Sequence, residues 1–177
     1  GSQENKLFYE YQKFTQNKGL KVEPLKKQLA NLDEGSKKYN KIKKQLTTID
    51  DEVTNFKLDY IRKYASTFFV KLLKAMEPIF IPEAPVLGDG TVDSLFQYYY
   101  YKNHFWDHFD LEDDRMIRTP IFHGKMEKYL MEYTVQIPDS IIKSLDILIE
   151  KVRPSEALFK YIINWSTHHY ESSKIMG

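Results

Sequence analysis

Cysteine is absent from all 177 residues. That excludes a disulfide framework, a thiol nucleophile, a thiolate metal site and thiol redox chemistry by these residues themselves. Glycine and proline are scarce, seven of each, which argues against collagen-like and low-complexity classes. No apolar run approaches the ~18–20 residues that a membrane-spanning helix needs, so no insertion by this segment is expected. No charged-then-apolar leader opens the chain, and Gly1-Ser2 reads as a cloning remnant. Also missing are a Gly-x-Ser-x-Gly elbow, a glycine-rich phosphate loop and a dinucleotide fingerprint. The segment is therefore expected to need no cofactor and to be no enzyme on its own.

What the chain does have is apolar and aromatic content, 42% and 15%, enough for one core with an added helical arm. Its net charge of +1 hides an asymmetry. Residues 1–76 carry 16 Lys and Arg against 9 Asp and Glu, a net of +7, whereas residues 77–177 carry 10 against 16, a net of −6. A lysine-rich helix surface in water accounts for the first half, although opposite charges could also steer partners. Nucleic acid is not expected as a partner, because the lysines are not organised with arginines or exposed aromatics around a known fold.

Helical spacing dominates. Leu7, Tyr11 and Phe14 step by four and three, and Gly19 is placed to end that helix. Val22, Leu25, Leu29 and Leu32 form a second short helix before the break "DEGS". Ser36 can cap the next helix, whose seam of Tyr39, Ile42, Leu46, Ile49, Val53, Phe56 and Tyr60 runs to about Tyr64. This seam is expected to fold back on residues 7–32 as a hairpin, or else to take a partner chain. A helix restarts at Ser66 or Thr67. Pro78, Pro82, Pro85 and "LGDG" then exclude helix over 77–90. Asp93 can cap a helix through Phe109, buried on most sides. Thr119-Pro120, "IPDS" and "RPSE" open three more. No alternating strand pattern occurs. The expected fold is all-α: an antiparallel helical bundle over 91–177, preceded by a linker at 77–90 and a long basic helical hairpin over 1–76.

The stretch "QYYYYKNHFWDHFDLEDDRMIRTP" concentrates the candidate site residues. Gln97, Tyr100, His104 and Asp107 make a polar stripe, and Asp113, Asp114, Arg115, Arg118 and Thr119 follow within reach. A buried polar group needs a partner, since leaving it unpaired costs ~1–3 kcal/mol. An arginine fork on Asp107, with His104 holding a loop carbonyl, would pin the 110–118 loop to the helix. Tyr100, His104, Asp107, Asp114, Arg115, Arg118 and Thr119 are thus expected to form a structural or binding network. His104 and His108 share a face at i, i+4, but lack the intervening glutamate of a metalloprotease helix, and no metal is expected. His168-His169 point to different faces, and His123 stands alone.

The segments "YYYYKNHFWDHFDLEDDRMIRTPIF", "IPDSIIKSLDILIEKV" and "FKYIINWSTHHYESSKIMG" resemble the helical domain of unknown function found in bacterial cell-envelope thioredoxin-like proteins. Tyr101, Lys102, His104, Asp107, Asp114, Arg115, Arg118, Thr119 and Pro120 carry the likeness. So do Pro138, Asp139, Ser140, Phe159, Lys160, Tyr161, Tyr170, Ser173, Lys174, Met176 and Gly177. It covers about the last 95 residues well. In that family a redoxin-type domain with a Cys-x-x-Cys pair follows. The resemblance therefore implies an excised piece, a periplasmic or cell-envelope location, and a non-catalytic accessory role. The segment would position the downstream thioredoxin-like domain or help recruit its protein or peptide substrate. The alternative is a stand-alone protein-interaction module using the Tyr39–Tyr60 seam.

Overall fold

A computed structural model describes residues 2–173 and Ile175. Lys174, Met176 and Gly177, which help carry the resemblance, lie outside the described residues. Seven α-helices account for most of the chain, and among the described residues the only β feature is one antiparallel bridge, Val86 to Val92. The all-α expectation holds. The chain divides into two units, residues 1–73 and 74–177.

The first unit is a helical hairpin. Its α1 spans Gln3–Leu29 and α2 spans Lys37–Lys63, joined by a turn in which Gly35 takes φ +83°. The Ser36 hydroxyl accepts from Tyr39 N at 3.1 Å, the capping expected from its position. Gly19 does not end α1, and the two short helices expected over 7–32 are one. Pro24 sits inside that helix. Each residue weakens a helix locally, proline by ~3 kcal/mol. Packing against α2 overrides both. Phe14 stacks on Phe56 with centroids 3.8 Å apart, and Lys18 pairs with Glu52 further along. The lysine holds the Glu52 carboxyl below its ordinary range.

A short α3, Phe68–Ala75, follows. Its first turn is capped from a distance: the Glu4 carboxylate accepts from Phe68 N at 2.9 Å and Phe69 N at 3.0 Å. This ties the start of α1 to the start of α3. Leu7, Tyr60, Phe69 and Leu73 form the buried cluster, with Tyr11, Phe56 and Tyr64 packed against it. Of the α2 seam only Ile42 and Tyr60 are buried, because two helices alone cannot cover both sides of the groove between them.

In the second unit residues 77–90 are non-helical, and a turn with Gly90 at φ +82° closes the Val86–Val92 bridge. Then come α4 (Phe96–His104), a 3-10 turn (Asp114–Arg118) and α5 (Pro120–Glu127). A π-helical turn (Lys128–Glu132), α6 (Pro138–Val152) and α7 (Glu156–Glu171) complete it. The expected starts at Pro120 and Pro138 hold, as does the Ser155 cap, which accepts from Leu158 N at 3.2 Å.

One expectation fails in this unit. The helix expected through Phe109 stops at His104, and none of its residues is fully buried; Leu95 and Tyr99 are more than half exposed. Instead Phe105, Trp106 and Phe109 leave the helix in tight turns and bury their rings beside Phe122 and Tyr129. On α6, Ile142 faces outward and Ser144 takes an inward place between Ile141 and Leu148.

Candidate functional site

The residues singled out from sequence fall into two places. At the end of α4, Tyr100 stacks on His104 with centroids 4.2 Å apart, and His104 Nδ1 lies 2.5 Å from Asp107 Oδ2. Both polar side chains are over two-fifths exposed, so this is a surface stack. The expected arginine fork on Asp107 does not form, and His104 holds no loop carbonyl. The Arg115 fork closes on its near neighbour Asp113 instead, at 2.8 and 2.6 Å.

Asp114 reaches α7, where its carboxylate accepts from the Ser155 hydroxyl and from Ala157 N at 3.3 Å. It thereby reinforces the N-terminus of that helix. The Thr119 hydroxyl donates to Met116 O at 2.7 Å, closing the 3-10 turn. The Arg118 side chain is exposed and makes no hydrogen bond or ion pair among the described residues. The seven residues thus fix a turn and a helix start, and present one aromatic-imidazole pair.

The remaining histidines diverge. His108 Nδ1 lies 3.9 Å from Glu77 Oε2. His169 stacks on Trp165. His123 does not stand alone: Nδ1 is 2.8 Å from the Tyr161 hydroxyl and Nε2 is 3.3 Å from Glu127. Among the described residues no three histidines or carboxylates gather to hold a metal ion.

A second polar cluster escaped the sequence reading. Lys102 Nζ donates to Ser144 Oγ at 3.1 Å, and Thr134 Oγ1 lies 3.0 Å from the same oxygen. The Thr134 hydroxyl also donates to Tyr129 O at 2.9 Å, at the π-helical turn. Burial, then the nearby Lys143 charge, lowers the Lys102 ammonium below its ordinary range. Burial raises the Tyr129 phenol. A lysine beside a serine is a nucleophile–base geometry, but Ser144 is only 1% exposed and Thr134 3%. The cluster ties α4, the π turn and α6 together. Its signal in the sequence was a serine at a core position of the 141, 144, 148, 152 stripe.

Around it other groups are perturbed by burial. The Tyr98 hydroxyl donates to Tyr133 O at 2.8 Å, and its phenol is raised. Tyr101 is raised by burial and by Tyr133. Lys125 sits 4.3 Å over the Phe105 ring, and burial, then Lys128, lowers it. Such concentrations accompany functional sites but also structural networks.

An open concavity lies in the hairpin unit, a groove of about 800 Å³ lined by Phe14, Phe56, Tyr60 and Tyr64 with charged residues at its rim. The Tyr60 hydroxyl donates to Glu10 at 2.7 Å, and burial followed by that carboxylate raises its phenol strongly. An apolar floor with a few convergent polar groups is the usual make-up of a binding site.

These features define an all-α protein of two helical units, with a polar network around the buried Ser144 and Thr134 in one and an open aromatic groove in the other. No described helix is long and apolar enough to cross a membrane. The chain belongs to the family described as "Domain of unknown function (DUF5106)", which matches residues 31–177. The matched range takes in α2 and all that follows, further toward the N-terminus than the last 95 residues on which the resemblance rested. No curated protein and no solved structure matches the chain.

Proposed function

We propose that this chain is a non-catalytic helical accessory domain working beside a thioredoxin-like domain in a cell-envelope thiol–disulfide oxidoreductase. The observation behind it is a contrast of access. The serine that could do chemistry, Ser144, is buried at 1% exposure and its lysine partner Lys102 is half-buried, while the aromatic groove is open and carries no serine, cysteine or histidine among its lining residues. Aromatic floors with charged rims suit recognition of protein segments, because tyrosine and phenylalanine give large rigid contact area. In this reading the groove helps recruit a protein or peptide substrate, and the redox chemistry belongs to the neighbouring domain.

The test is disulfide reduction by the full-length protein, with and without residues 1–177, against several oxidised protein substrates. Selective loss of rate for some substrates is expected, and Phe14→Ser should reproduce part of it. Equal rates for every substrate would reduce the segment to a spacer and sink the reading.

A second reading is favoured by one observation: Phe56 and Tyr60, from the α2 seam, line the groove. The hairpin would then be a stand-alone interaction module. Light scattering at high concentration separates self-assembly from a monomer awaiting another partner.

A further inference from the structure

The end of the hairpin carries a different chemistry from its aromatic groove. Between Lys21 and Lys44 eight lysines are all exposed, against three carboxylates, Glu23, Asp33 and Glu34, a net of +5 over 24 residues. Arginine is absent from the first 61 residues. Within this basic end a groove of about 460 Å³ opens where α1, the turn and α2 meet. Its walls hold Lys38, Lys41 and the carboxamides of Gln28, Asn31 and Gln45; its floor is Leu32 and Ile42. No carboxylate lines it. Ammonium and amide donors over an apolar floor complement an anionic phosphate ester attached to a greasy stem.

We propose that this end of the hairpin docks on an anionic phospholipid surface, with a phosphodiester headgroup seated between Lys38 and Lys41. The surrounding lysines supply the long-range attraction that polybasic segments exert on such surfaces. Lysine point charges serve a diffuse negative field; base-reading proteins favour arginine forks and exposed aromatic platforms. The only aromatic residue between Lys21 and Lys44, Tyr39, is half-buried, with its hydroxyl near Glu34. The apolar floor argues for a lipid over free phosphate. This proposal is independent of the redox reading.

The experiment is vesicle co-sedimentation of residues 1–177. Phosphatidylcholine vesicles are compared with ones that also contain phosphatidylglycerol, at low and high salt. Binding only to the anionic vesicles, weakening steeply with salt, is expected. Replacing Lys26, Lys27, Lys37 and Lys38 together by glutamine should weaken it by about six-hundredfold, since each lysine near such a surface is worth roughly fivefold. Arginine at the same four positions should keep it, and Lys151→Gln with Lys160→Gln should leave it unchanged. Circular dichroism confirms that each variant is folded. No sedimentation with anionic vesicles at low salt overturns the proposal. So does equal loss from the Lys151/Lys160 control, or tighter binding to RNA than to the vesicles at the same salt.

Discussion

Glu4 and Asp114 show how far a single carboxylate can act. Glu4 caps α3 from 64 residues away and Asp114 braces α7 from 41 away. Replacing a capping oxygen typically costs ~1 kcal/mol and up to ~2. Glu4→Ala and Asp114→Ala should each lower the urea midpoint accordingly. Asp107→Ala, in an exposed pair with His104, should stay within about 0.5 kcal/mol of wild type. Loss of stability at Asp107 as large as at Asp114 would show the surface stack to be structurally required. Ser36 and Ser155 were readable as caps because they bond within three residues of themselves. Glu4 was not, because nothing near it in sequence tells where its carboxylate will land.

At the scale of elements, α1 and the network between α4 and α6 make opposite cases. Gly19 lies inside a continuous helix, and a Cβ built there meets nothing within 4 Å. Gly19→Ala should therefore stabilise the hairpin by ~0.5–1 kcal/mol, the ordinary helix-interior difference, seen as a higher denaturant midpoint. Ser144→Ala removes the oxygen shared by the half-buried Lys102 and the buried Thr134 hydroxyl, which keeps only its bond to Tyr129 O. A loss of ~1–3 kcal/mol is expected. An unchanged midpoint for Ser144→Ala would show that water or a rotamer change replaces the bond. The early end of α4 has the same origin as this network. Three rings at 105, 106 and 109 bury themselves only if the helix gives way to turns, a gain of ~1.5–3 kcal/mol for each ring fully buried.

For the whole molecule the tyrosines set the response to alkali. Burial raises Tyr60, Tyr98, Tyr101, Tyr129 and Tyr170 in the folded state. Their stabilisation is complete below the unfolded value of about 10 and is lost as pH climbs above it. Lys102 and Lys125 act in the other direction, since burial penalises their charged forms at neutral pH and the penalty fades as pH rises toward about 10.4. Urea midpoints should hold or rise slightly up to about pH 10 and then fall steeply. Absorbance at 295 nm should show a class of tyrosines that ionise only as the protein unfolds. Titration of all thirteen together near their ordinary value, with the fold intact, would contradict the burial assigned to these five.

From the sequence by itself came the helical class, the hairpin, the Ser36 and Ser155 caps and the proline starts of α5 and α6. Each follows from a period or a local bond that spans only a few residues. The tertiary structure alone decided that α1 runs through Gly19 and Pro24 and that Ser144 points inward. It also placed Tyr161 against His123 and brought Phe14 and Phe56 together over one groove. Those outcomes are choices among partners distant in sequence. Packing and desolvation energies of a few kcal/mol decide between them, and no local pattern records the result.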